Sequence, residues 1–530
     1  MPTTIVDTSL LTHVLELLYV FNILLLGAYG FYALFQTWIY WHHHLKSEPL
    51  LSAAQNSGQP HHEPDDPDAI AGEGVEVPKV TVQLPIYNER YVVTRLIDAV
   101  AALDWPQSHL HIQILDDSTD DTTRAIAATL ARYQAQGIQI EHLHRSQRVG
   151  FKAGALQQGL ATCESEFIAI FDADFIPPAN FLRQTIPCFL DDSVGCVQAR
   201  WGHVNPNTSP LTNAQALGID GHFVVEQQAR HTLGACLNFN GTAGIWRRQC
   251  LDRSGGWQGD TLTEDLDLSY RAQLNHWRIV YQPDVIVPAE LPVQIDAFKR
   301  QQFRWAKGSM QTALKLLGPL WRSSHPWQRK LFGTFHLTNY VVHPLMLLNL
   351  LLILPMTVSK SAVLILAPGL VISALGPPLM YWMAMPQQGM SWFTRLRRLA
   401  VLMALGTGLS VNNSRAVMEA IAGIRSDFKR TPKFAIIDGS TPWCASDYAL
   451  PSHLTVWLEL LLALYALSLL GYSLIVGKES LVIWLLIYAS GYMYVALLSL
   501  IQLWQRRAAQ STAINFSPTA NNPIELGVDQ

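Results

Sequence analysis

Apolar and polar positions divide the 530-residue chain into long apolar runs and one stretch of shorter alternating elements. Leu10 to Trp41 is apolar and uncharged apart from Glu16, longer than the ~20 residues that span a bilayer. Leu331–Met356, Ala362–Met385, Leu454–Val476 and Leu481–Leu503 have the same character, so five spans are predicted. From Val80 to roughly Glu290, short apolar runs alternate with helical periodicity. Val80–Leu84 reads as a strand ending at Pro85, and His111–Leu115 as a second ending at Asp116-Asp117-Ser118. Gln139–Leu143 is strand-like, while Tyr91–Leu103, Asp121–Gln136 and Lys152–Cys163 read as helices. Phe167 to Phe171 places five apolar residues in a row, which suits a parallel strand covered on both faces. This alternation predicts an α/β domain built on a parallel sheet.

The remaining segments are read from polarity. Glu48–Pro78 is rich in Pro, Gly, Ser and acids and reads as a flexible linker. Phe298–Trp321 is amphipathic, basic and interleaved with aromatics, as in a helix lying at a membrane surface. Leu399–Ile424 reads as a second interfacial helix, because Asn412-Asn413-Ser414-Arg415 would be costly in hydrocarbon. Gln510–Gln530 is polar and expected to be disordered. The predicted divisions are an anchor over 1–45, a linker over 46–78, a catalytic domain over 79–296 and interfacial helices over 297–330. Two spans over 331–385, an interfacial helix and loop over 386–452, two spans over 453–505 and a tail over 506–530 follow. Lys46, Arg395-Leu396-Arg397-Arg398 and Arg506-Arg507 put the soluble domain in the cytosol by the positive-inside rule. The first span lacks a small-residue cleavage site and is expected to be retained.

Composition agrees with a multi-pass integral membrane protein: 49% hydrophobic, 15% charged, with a mean hydropathy of +0.15. A net charge of −4 leaves no basic excess for a phosphate backbone, so no nucleic-acid partner is expected. The six cysteines form no close pairs, which argues for reduced thiols rather than a zinc or disulfide framework.

The chemistry is concentrated in a few polar clusters. Asp172 and Asp174 follow the buried strand, at the strand end where α/β sheets bind ligands. Two hard oxygen ligands one residue apart suit Mg²⁺ or Mn²⁺ carrying substrate phosphates. Thr263-Glu264-Asp265 has the form of a helix N-cap followed by acids, and equally supplies a carboxylate for general-base work. The residues alone leave the choice between Glu264 and Asp265 open.

Together these clusters, with Gln301-Gln302-Phe303-Arg304-Trp305, resemble the processive members of glycosyltransferase family 2. The resemblance is closest to the plant cellulose synthase-like A and C proteins and their bacterial relatives. It is carried by Gln83-Leu84-Pro85-Ile86-Tyr87-Asn88-Glu89, Gly150-Phe151-Lys152-Ala153-Gly154, Val197-Gln198-Ala199-Arg200-Trp201 and Phe239-Asn240-Gly241-Thr242, and covers roughly Val80 to Lys433. It implies a GT-A (nucleotide-diphospho-sugar transferase) α/β cytosolic domain plus an α-helical transmembrane bundle. By the same resemblance Asp265 is the general base. Pro85, Tyr87, Glu89, Asp117, Arg148, Lys152, Asp172, Gln301 and Arg304 hold the donor; Asp172 and Asp174 hold the metal, Mg²⁺ or Mn²⁺. Trp305, Asn240, Gly241 and Glu264 face the acceptor. Phe428, Thr431 and Lys433 match a gating loop in which Arg430 replaces the usual small apolar residue.

The function expected is inverting, processive transfer of hexose from GDP-mannose or UDP-glucose to a β-linked polysaccharide acceptor, coupled to passage across the bilayer. A glycolipid synthase adding one glucose to ceramide or diacylglycerol is the alternative, and a catalytically dead glycan-binding scaffold is a third. The membrane expected is the bacterial inner membrane, or the Golgi membrane in a eukaryote.

Overall fold

The computed structural model describes residues 8–56, 77–361, 363–364, 374–386, 390–437 and 443–515. Its centre is a seven-stranded sheet: β1 Val80–Ile86, β2 Leu110–Asp116, β3 Ile140–His144, β4 Phe167–Ile170, β5 Val194–His203, β6 Gly244–Arg247 and β7 Arg278–Ala289. The order across the sheet is β3-β2-β1-β4-β6-β5-β7. β1, β2, β3 and β4 run parallel, and β5 is parallel to β7. β6 is antiparallel to both β4 and β5, so the sheet is mixed rather than wholly parallel. Its four residues are too few for hydrophobic periodicity to disclose, and periodicity carries no information on strand direction.

β1 also runs two residues past the expected boundary, through Pro85 to Ile86 opposite Asp116. Successive peptide groups point to alternate sides of a strand: Gln83 O accepts from Phe171 N on the β4 side and Ile86 O from Asp117 N on the β2 side. The nitrogen of Pro85 therefore faces the β4 side beyond the end of β4, where its missing N–H costs no ladder bond.

Helices cover both faces of the sheet. In Val93–Ala101 the buried residues Val93, Leu96, Ile97 and Val100 recur at the spacing of one helical face. Polar side chains bond across the strands: Gln83 Nε2 donates to Gln113 Oε1 at 2.9 Å, and Gln113 Nε2 to Glu141 Oε1 on the edge strand at 2.7 Å. All six cysteines are free.

Among the described residues four helices are long and apolar enough to cross a membrane: Leu10–His43, Asn339–Val358, Thr455–Ile475 and Glu479–Ser511. The first belongs to a helix that continues to Asn56. Residues 362 and 365–373 of the expected span Ala362–Met385 lie outside the described residues, as do 57–76 of the linker and 516–530 of the tail. In place of one interfacial helix over Leu399–Ile424 there are two, Trp392–Gly408 and Ser410–Ile421, meeting at Leu409. The second buries Asn412, Asn413 and Ser414, which solves the hydrocarbon problem through protein contacts. Asn412 Nδ2 donates to the Lys299 carbonyl at 2.9 Å, and Asn413 Nδ2 lies 2.9 Å from His343 Nε2.

The basic amphipathic segment forms a 28-residue helix, Ile295–Arg322. It is wedged between domain and bundle, and two of its lysines are buried in ion pairs. Lys299 Nζ is 2.7 Å from Glu459 Oε2 and 3.1 Å from Ser499 Oγ, on the last two of the four long apolar helices. Lys307 Nζ is 2.8 Å from Glu419 Oε2. The backbone N–H of Ile295 donates to Gln502 Oε1 at 2.8 Å, so both its first turn and its flank are tied to the bundle.

Candidate active site

The parallel register brings the ends of β1, β2 and β4 to one edge of the sheet. Ile86 pairs with Asp116, and Gln83 with Ile170, so Tyr87, Asp117 and Asp172 emerge side by side. Every residue expected at the site, from Pro85 on β1 to Lys433 in the loop, lines a single cavity of about 160 Å³. A second chamber of about 1030 Å³ adjoins it and shares Lys152, Glu264, Arg304 and Phe428 with it.

At one end of the cavity, Arg145 grips Asp117 through both carboxylate oxygens, Nε to Oδ1 at 2.6 Å and Nη2 to Oδ2 at 2.5 Å. Such two-pronged pairs fix a carboxylate in direction as well as position. Arg148 lies with its guanidinium carbon 3.5 Å from the centroid of the Tyr87 ring, a cation–π stack. Glu89 is largely enclosed, and burial together with the charges of Asp174 and Glu290 pushes its carboxyl up to about 8 against the opposing pull of Arg430 and Lys433. Arg430 Nη1 is 3.4 Å from Glu89 Oε2.

In the middle, Lys152 Nζ donates to Asp172 Oδ1 at 2.5 Å and to the Gly241 carbonyl at 2.9 Å. Burial works against its charge, but Asp172 and Glu264 more than offset it, so the ammonium is held above its ordinary range. The Asp172 backbone N–H donates to Thr242 Oγ1 at 2.9 Å. Lys433 Nζ sits 2.6 Å from Asp174 Oδ2 and donates to the Glu290 carbonyl at 2.5 Å. Each aspartate therefore has one oxygen engaged by an ammonium, and the other accepts no hydrogen bond among the described residues. Two such free carboxylate oxygens facing one cavity are a donor set that fits a hard divalent cation.

The far side is built by two helices that approach closely. Glu264, Asp265 and Asp267 occupy the first turn of Glu264–Leu274, where negative charge meets the helix dipole. Thr263 stands at the N-cap position but makes no side-chain cap bond; its hydroxyl lies 3.3 Å from Thr312 Oγ1 on the long helix. The contact needs Gly308, since a β-carbon there would meet Thr263 at 2.5 Å. Burial first, then the neighbouring charge of Glu264, pushes Asp265 up to about 7. Gly241 has φ +83°, and a β-carbon on it would lie 2.8 Å from Asp265 Oδ2. The long helix presents Gln301, Arg304 and Trp305 to the cavity. Trp305 faces Trp201, with ring centroids 6.5 Å apart, and Trp201 in turn packs on Phe175 at 5.1 Å.

The loop after Ile421 closes the cavity from above. Phe428 stacks on Phe151 at 6.2 Å and lies under the guanidinium of Arg304 at 4.4 Å. Arg430 lies 4.1 Å from the Tyr448 ring centroid, and the Tyr448 hydroxyl donates to Asp120. Sequence reasoning missed Arg145, Glu290 and Tyr448. Arg145 stands three residues before Arg148 in a basic run and was in view; the other two become neighbours of the site only through the fold.

The sequence profile "Glycosyltransferase like family 2" matches residues 78–308. A probable glucomannan 4-beta-mannosyltransferase 7 of Oryza sativa subsp. japonica is 44% identical over 254 residues, 47% of this chain and 43% of the relative. Glucomannan 4-beta-mannosyltransferase 2 of Arabidopsis thaliana is 38% identical over 290 residues, 53% of this chain and 54% of the relative. The chain thus spans about half the length of the curated relatives it matches. Among solved structures, the mannosyltransferase PcManGT from Pyrobaculum calidifontis, in complex with GDP-Man and Mn²⁺, aligns with a TM-score of 0.44 and 19% identity over 76% of this chain and 100% of that one.

Proposed function

We propose, from the premise that residues 78–308 are a glycosyltransferase family 2 domain of GT-A fold, that this membrane-associated chain transfers hexose from a nucleotide sugar to a growing β-linked polysaccharide. The observation that carries this reading is convergence: Asp117, Asp172, Asp174, Asp265 and Trp305, from four separate segments, line one cavity. The naming of the relatives as glucomannan 4-beta-mannosyltransferases supports mannose, with GDP-mannose as donor; UDP-glucose is the second candidate.

In this reading Tyr87 and Asp117 face the nucleoside, and Lys152, Arg148, Gln301 and Arg304 contact the diphosphate through charge-assisted hydrogen bonds. Asp172 and Asp174 would hold Mg²⁺ or Mn²⁺, which when bound would supply Lewis-acid stabilisation to the departing diphosphate. Asp265 takes the proton of the acceptor hydroxyl as it attacks the anomeric carbon from the face opposite the leaving group, inverting that centre. A base poised near neutrality suits this task, and its rise to about 7 is of that kind. Trp305 and Trp201 offer aromatic faces to the acceptor sugars. Phe428, Thr431 and Lys433 close over the donor.

The helix carrying Trp305 is tied to the membrane helices through Lys299, which supports delivery of the product into the bundle as it lengthens. We place the catalytic domain on the cytosolic face of a multi-pass membrane protein. Protein purified into nanodiscs and given radiolabelled GDP-mannose or UDP-glucose tests the reading. Long insoluble product is expected; a single-sugar lipid spot overturns it.

A further inference from the structure

His142 and His144 stand two residues apart on the edge strand β3 and so share one face of the sheet. The parallel register sets His144 opposite Asp116, the last residue of β2. Asp116 is fully buried, His142 is 19% exposed and His144 43%. Asp116 Oδ2 accepts from His142 Nε2 at 3.0 Å, from His144 Nδ1 at 3.1 Å and from Thr123 Oγ1 at 2.8 Å, while Oδ1 accepts from Ser118 N at 2.8 Å. Three donors thus crowd one oxygen that has about two lone-pair directions. None of the four is an obligate cation, and the nearby Arg145 guanidinium is engaged by Asp117.

We propose that Asp116, His142 and His144 form a transition-metal site, separate from the donor-binding acids, that takes Zn²⁺. Two imidazole nitrogens and one carboxylate oxygen, with a fourth position open, are a ligand set zinc adopts; Mg²⁺ favours oxygen alone. The three ligand atoms lie within 4.8 Å of one another. Zinc bonds of about 2.0–2.2 Å at tetrahedral angles set ligands roughly 3.3–3.6 Å apart, so each imidazole nitrogen, now 3.0 or 3.1 Å from Asp116 Oδ2, draws back from that oxygen by a few tenths of an ångström while the two rings turn toward the ion. Thr123 and Ser118 orient the carboxylate, and half-exposed His144 gives the ion its entry. The site pins the edge strand to the end of β2, one residue before Asp117. It braces the wall of the nucleotide cavity and takes no part in sugar transfer.

The test uses full-length protein in detergent, stripped with chelator, in an Asp172→Ala/Asp174→Ala background so that those acids contribute nothing. Zinc is titrated against a colorimetric chelator. Adding His142→Ala and His144→Ala should remove one bound zinc per chain. Thr123→Val should weaken that same zinc by about 10–100-fold, as loss of a group supporting a ligand does. If the double histidine variant does not fold, His144→Gln, at a half-exposed position, should weaken the same zinc. Zinc stoichiometry and affinity unchanged by these substitutions, or an X-ray absorption difference spectrum lacking imidazole, would show a hydrogen-bonded hub only and overturn the proposal.

Discussion

Lys433 and Asp174 are 259 positions apart in sequence, and their side chains meet at 2.6 Å with both largely buried. The pair seats the loop after the Ser410–Ile421 helix on the strand-end acids. Truncating one partner of a buried pair leaves an uncompensated charge, at a cost of about 3–5 kcal/mol. Lys433→Ala should therefore unseat the loop, so that trypsin cuts faster at Arg425 and Lys429, which are exposed but held in a seated loop. Donor turnover should fall by ~10²-fold, the scale of losses from misplaced groups. Unchanged proteolysis with full turnover would defeat this account of the loop.

Asp265→Asn should keep donor binding and lose about 10²–10⁴ in turnover, the usual worth of a positioned base. In the unsubstituted protein the carboxyl is pushed up to about 7, so it is protonated and unable to accept a proton below that value. Turnover should rise with pH through about 7, with a slope that the asparagine variant lacks. Because Glu264 is coupled to it, the profile reports the pair rather than one residue. Rates measured across this interval, beside donor binding by calorimetry, check both points.

Gly241→Ala separates position from chemistry. The new methyl would stand 2.8 Å from Asp265 Oδ2 and 3.4 Å from Lys152 Nζ, at a φ of +83°. Backbone strain of this kind costs about 1–3 kcal/mol, lowering the melting temperature by a few degrees while leaving the protein folded. Turnover should fall far more than that strain implies, because the carboxylate proposed as the base is displaced. Wild-type rates from a folded Gly241→Ala protein would contradict the close approach.

Glu89 gives a second test that depends on pH, read in donor binding rather than in turnover. Its carboxyl rises to about 8, so below that value it is neutral and Glu89→Gln should bind donor as the parent does. Above pH 8 the parent ionises and pairs with Arg430, 3.4 Å away, and the two proteins should diverge. Donor KM measured on either side of that pH decides it.

Much of the site could be read from the chain because its residues stand where strands must end. Asp117, Asp172 and Asp174 follow apolar runs directly, and a parallel register then has little choice but to align them. What escaped was long-range. Nothing near Glu290 in sequence announces that its carbonyl will hold Lys433 and its carboxylate the Phe434 N–H. Arg430 was visible as a departure from the loop pattern, but its partner Glu89 lies on the far side of the domain in sequence. The direction of β6 and the break at Leu409 were illegible for another reason: both depend on which neighbour each short segment packs against, and polarity alone is blind to that.

Lys299 has a consequence for how the protein can be handled. Its ammonium is 4% exposed and is answered by a carboxylate and a hydroxyl borrowed from the last two apolar helices. A solvent harsh enough to peel those helices away would leave a bare cation near the start of the long helix and shift the shelf on which Trp305 is mounted. On the proposed reading, grip on sugar and residence in lipid are one mechanical property, and the choice of amphiphile belongs to the chemistry as much as to the purification.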